Sequence, residues 1–152
     1  MKKASCSCEK CKSMCLGYPG WFLPGQAKAA ATHLGMSLRE FFSKYLIVEY
    51  WVRGAHVLAP KKLLQPLEKE IAKHIDAYEP SPCRLLGENG CLLDLEHRPI
   101  ECSTTFNCKS QTGLAWRYGN PVRKRDWIQR QWGKNPAELR ELFGETYTDT
   151  HP

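Results

Sequence analysis

The chain has 152 residues, 42% of them apolar, which suits one domain large enough to bury a core and too small for two. Twenty-two basic against 16 acidic residues give a net charge of +6, which permits a polyanionic partner without requiring one. No apolar run approaches the roughly 20 residues of a membrane span, and MKKASCSCEKCKSMC lacks the apolar stretch of a secretory leader, so a soluble, cytoplasmic protein is expected.

After the first cysteines, LGYPGWFLPGQ holds two Pro-Gly steps and reads as a loop packed by Tyr18, Trp21 and Phe22. The helix formers of AKAAATHLG, closed by Gly35, predict a helix over 25–34. Ser37 and Glu40 have capping-box spacing and open a second helix over 38–45. LIVEYWV and AHVLAP, separated by Arg53-Gly54, are β-branched and aromatic and predict a short hairpin.

Leu64, Leu67, Ile71 and Ile75 recur at three- and four-residue spacing and predict a helix over 66–77, with Pro66 near its start. Pro80 and Pro82 stop it. From Cys83 to Cys108 glycines and dense cysteines predict irregular backbone held by ligands. Two closing helices are expected within 121–145, the second capped by Asn135, started by Pro136 and ended by Gly144. The fold class is thus a small, helix-rich α+β single domain over 1–152, with a minor β-hairpin, organised around a cysteine metal site.

Eight cysteines in a reducing compartment call for a role other than disulfides. They form two groups: Cys6, Cys8, Cys11 and Cys15, whose Cys-x-x-Cys step lets two thiolates meet one ion, and Cys83, Cys91, Cys102 and Cys108. Gaps of seven, ten and five residues in the second group suit a site assembled by the fold rather than by one loop. Soft thiolates favour zinc or an iron–sulfur cluster over magnesium, calcium or manganese. Buried free cysteines are the plainer alternative.

CEKCKSMC, GYPGWFLPGQAKAAATHLGMSLREFF and CRLLGENGCLLDLEHRPIEC together resemble the YkgJ-type cysteine-cluster proteins, described as a zinc- or iron-chelating domain. The resemblance spans residues 6–108. It implies Cys8, Cys11 and Cys15 as ligands, with Met14 where the family's C-x-x-C-x-x-C-C motif has a further cysteine. The second motif matches Cys83, Cys91, Arg98, Pro99 and Cys102. The family includes flagellin lysine methylases, so redox or radical chemistry is implied by analogy alone.

His33, His56, His74 and His97 are further donors, His97 the most interesting because it lies between Cys91 and Cys102, although a surface or hydrogen-bonded histidine is the commoner role. Arg98 suits either the negative charge of a thiolate site or the bridging of loop carbonyls. Glu49, Asp94 and Glu96 show no spacing that pairs them for acid–base work, and most are expected in solvent. The basic residues Arg117, Arg123, Lys124, Arg125, Arg130 and Lys134, interleaved with Trp116, Tyr118, Trp127 and Trp132, have the composition of a single-strand-binding surface. An amphipathic helix with its aromatic face in the core is the favoured reading there.

The leading expectation is a protein holding an iron–sulfur cluster, slightly ahead of zinc, through Cys8, Cys11, Cys15, Cys83, Cys91 and Cys102. Cys6 and Cys108 are undecided ligands. The alternatives are a metal-dependent enzyme acting on a protein or small molecule and a nucleic-acid-binding module.

Overall fold

The computed structural model describes residues 15–17, 19–51, 54–73, 79–104 and 121–148. Within them, helix α1 (Gln26–His33) follows the Pro-Gly loop and breaks at Gly35, whose φ of 73° only glycine adopts without strain. Helix α2 (Leu38–Tyr45) starts with the expected reciprocal cap: Glu40 N–H donates to Ser37 Oγ and Ser37 N–H to Glu40 Oε1, each at 3.1 Å.

Strands β1 (Leu46–Glu49) and β2 (Val57–Pro60) pair antiparallel, with Leu46 opposite Pro60 and Glu49 opposite Val57. All eight positions are buried, because helices and loops cover both faces of this ribbon. Trp21 and Phe22, at 0% exposure, pack with Phe41, Phe42, Leu58 and Ala30 into the core, and Phe22 N–H donates to Leu58 O at 3.0 Å.

The helix expected over 66–77 does not form where it is described. Residues 66–73 turn and then run extended beside β1, with Val48 N–H donating to Glu70 O and Ala72 N–H to Val48 O. A single turn closes, with Lys69 N–H donating to Pro66 O at 3.1 Å, and the buried ammonium of Lys61 takes the carbonyls of Pro66, Leu67 and Lys69 at 2.9, 2.7 and 2.6 Å. Those oxygens are therefore bound elsewhere than in a helical ladder. The periodic face goes to solvent, with Leu64 and Leu67 at 47% and 55% exposure.

Cys83 to Thr104 is more regular than expected. A two-residue ribbon, β3 (Leu86–Gly87) with β4 (Gly90–Cys91), leads to a 3-10 turn (Leu95–His97) and then to helix α3 (Ile100–Thr104). Helix α4 (Pro121–Lys134) buries Ile128 and Trp132, whose indole N–H donates to Phe22 O at 2.7 Å. Helix α5 (Ala137–Phe143) ends at Gly144, φ 107°. Pro136 stands just outside that helix rather than in its first turn, and Asn135 Oδ1 accepts from Ala137 N–H at 3.4 Å. Mixed helices and small two-stranded sheets make this a small α+β fold, and no helix of the described residues is long and apolar enough to cross a membrane.

Candidate metal centre

Four of the eight cysteines lie among the described residues, none of them in a disulfide: Cys15, Cys83, Cys91 and Cys102. Cys6, Cys8, Cys11 and Cys108 lie outside them, as do His74, Arg117, Trp116 and Tyr118. The four described thiols come from four separate pieces of the chain. Cys15 sits in the short helical turn 15–17, and its carbonyl accepts from Cys83 N–H at 2.6 Å. Cys83 is also held by a bridge to Lys62, Cys91 by β4 and Cys102 by α3.

Cys83 and Cys102 lie near enough to the other sulfurs for those to act on them electrostatically. Burial pushes the Cys83 thiol far above the ordinary thiol range, and the nearby sulfurs of Cys15 and Cys91 add to the effect. Cys102 is driven up by burial and then by Cys15, Cys83 and Cys91. The Pro19-Gly20 loop presses on the same place: a Cβ added to Gly20 would lie 2.7 Å from Cys102 Sγ and 2.8 Å from Cys102 N.

A few donors face the sulfurs against that burial. Leu85 N–H donates to Cys83 Sγ and Leu93 N–H to Cys91 Sγ, both at 3.4 Å and both from two residues along the chain. Cys91 is raised by burial, against which Leu93 N–H and the Arg98 guanidinium pull its pKa down. Arg98 Nε also donates to Leu93 O at 3.1 Å, so this arginine braces the loop and faces a sulfur at once.

Behind Cys102 lies a set of buried charges that residue spacing did not single out. Glu101 accepts from Arg125 Nε at 2.9 and 3.2 Å and from Trp21 N–H at 2.8 Å. The Arg125 guanidinium lies 4.2 Å from the Trp21 ring and 5.3 Å from that of Trp51. Lys124 is buried, which lowers its pKa, while Glu101 and Cys102 act in the opposite direction. The adjacency of Glu101 to Cys102 was the one available hint.

Glu49 corrects the expectation of a solvated carboxylate. It is 2% exposed and accepts from Trp21 Nε1 at 2.7 Å; burial raises its pKa, opposed by Arg125, Lys62 and that hydrogen bond. His56 is a buried packing histidine, stacked on Tyr50 and 2.5 Å from the Tyr147 hydroxyl. In the basic aromatic segment Lys124, Arg125 and Trp132 are buried, whereas Arg123, Arg130 and Lys134 are exposed, the pattern of an amphipathic helix.

As a donor set, four cysteine sulfurs with amide and guanidinium donors aimed at two of them fit zinc or an iron–sulfur cluster. Among the described residues they do not form a group with all donor atoms within 4.8 Å of one another. No protein-family model, curated protein or solved structure matches this chain.

Proposed function

We propose that this chain is a cytoplasmic metal-binding protein whose two cysteine groups jointly hold an iron–sulfur cluster, with zinc as the alternative metal. The observation that supports it best is the nearness of Cys15, Cys83, Cys91 and Cys102, four cysteines outside disulfides that come from separated segments. Plain core cysteines need no N–H donors on sulfur and no guanidinium nearby; Cys83 and Cys91 have the first and Cys91 the second. The YkgJ-type resemblance of the motifs points to the same residues and adds Cys8 and Cys11.

The lean toward a cluster over a single zinc ion rests on the long sequence gaps between the cysteines of the second group and on the YkgJ-type resemblance.

Cys15, Cys83, Cys91 and Cys102 would hold the group, which when bound supplies redox or Lewis-acid chemistry. The protein's own part is to shield the sulfurs partly from water, to donate Leu85 N–H to Cys83 and Leu93 N–H to Cys91, and to set Arg98 beside Cys91. Neutral buried thiols must lose their protons to bind metal, so loading releases acid.

Replacing Cys15, Cys83, Cys91 or Cys102 singly by serine, with anaerobic purification and metal analysis, tests the reading. Each variant is expected to lose most of the bound metal. Full metal content in all four would show that these thiols do not hold it.

A further inference from the structure

A second group of donors lies outside the thiols. His33 ends α1, Asp94 precedes the 3-10 turn and His97 closes that turn. One ligand atom from each lies within 4.8 Å of the other two. Helix α1 and the turn are packed side by side, and the two imidazoles stack with centroids 4.1 Å apart and planes 11° from parallel.

Asp94 holds the group together. Its carboxylate accepts from His97 N–H at 3.2 Å and is hydrogen-bonded to His97 Nδ1. Desolvation, the largest single effect, raises its pKa, but the His97 side-chain hydrogen bond, the charges of His97 and His33 and the His97 backbone N–H together hold it below the usual carboxylate value. Two histidines and a carboxylate meeting from two elements, with His33 in solvent, differ in kind from a cluster of surface acids.

The geometry points to a second metal site, for a divalent ion of zinc's borderline softness, built from His33, Asp94 and His97 and independent of the thiolate reading. Zinc takes imidazole nitrogen and carboxylate oxygen at about 2.0–2.2 Å, and three protein ligands leave a position for water. Binding replaces the hydrogen bond between Asp94 and His97 by two bonds to the ion. His33 must turn its ring out of the stack, since parallel rings do not aim both lone pairs at one point, and its exposure gives it room. The bound ion ties the end of α1 to the turn between Cys91 and Cys102. The open position makes this an exchangeable site rather than a closed structural one.

The test titrates zinc into the full chain as purified, with a competing chromophoric chelator and any metal taken up by the thiols counted separately, alongside 15N spectra of the histidine rings. One further equivalent is expected, with shifts of the His33 and His97 ring nitrogens and none at His56. His33→Ala, at an exposed helix end, is expected to weaken that equivalent by at least about tenfold while leaving the thiolate metal in place. Asp94→Asn serves as a second variant with the same expected direction. Equal uptake by wild type and His33→Ala, or zinc-induced shifts confined to other histidines, would overturn the site.

Discussion

Gly20→Ala is the sharpest probe of how the Pro-Gly loop meets the cysteine segment. The new methyl would lie 2.7 Å from Cys102 Sγ, 2.8 Å from Cys102 N and 2.9 Å from Glu101 Cβ. Comfortable carbon contacts are about 3.5–4.0 Å, so the two segments must part by about 1 Å. A rotamer change of Cys102 cannot relieve this, because its backbone nitrogen is among the clashing atoms. The segments are also tied together: Glu101 N–H donates to Trp21 O at 3.3 Å and Trp21 N–H to Glu101 Oε1 at 2.8 Å. Overpacking of this kind costs about 1–3 kcal/mol, and the involvement of backbone argues for about 2. At ~2–4 °C per kcal/mol for a chain of this size, the melting midpoint falls by about 4–8 °C. Thermal melting of the anaerobically purified protein, with metal content measured on the same sample, reads both consequences. Gly17→Ala is the control, since nothing lies within 4 Å of a Cβ added there. A Gly20→Ala protein that melts with the wild type and keeps its metal would refute the close approach.

Arg125→Met removes the partner of a carboxylate that is 5% exposed, and is expected to cost about 3–5 kcal/mol in urea unfolding. Glu49→Gln bears on pH dependence. The folded pKa of Glu49 is raised by burial, so between its unfolded and folded values the native state binds more protons and stability falls as pH rises. The variant should flatten that slope in unfolding curves collected from pH 4 upward, about the ordinary carboxylate value, while its amide oxygen still accepts from Trp21. Leu67→Gln, at a position exposed in the extended segment, should change stability by less than about 0.5 kcal/mol; a loss of several times that would restore the buried helix face that the apolar spacing suggested.

The sequence carried the local structure where local chemistry decides it. Ser37 and Glu40 announced α2 to the residue, Gly35 and Gly144 marked helix ends, and β-branched residues marked the hairpin. It misled at 66–73 because a single buried lysine, Lys61, takes three carbonyls from that segment, and side-chain competition for backbone oxygens leaves no trace in hydrophobic period. The cysteines were legible as a set because thiols are rare and chemically distinctive. Their setting was not: Glu101, Lys124 and Arg125 look like ordinary surface charges until the fold buries them beside Cys102. In the sequence Asp94 reads as a solvated carboxylate and His97 only as a donor between two cysteines; His33 joins them through the packing of α1 on the turn, from a distant part of the chain.

The central claim is that the gathered thiols hold a metal group. Anaerobic purification without chelator, followed by an absorption spectrum and quantification of iron, inorganic sulfide and zinc on one sample, tests it directly. Matching iron and sulfide with broad absorbance near about 400 nm, as cysteine-ligated clusters give, is the predicted result. Protein free of iron, sulfide and zinc, with all its thiols titrating as free, would contradict it.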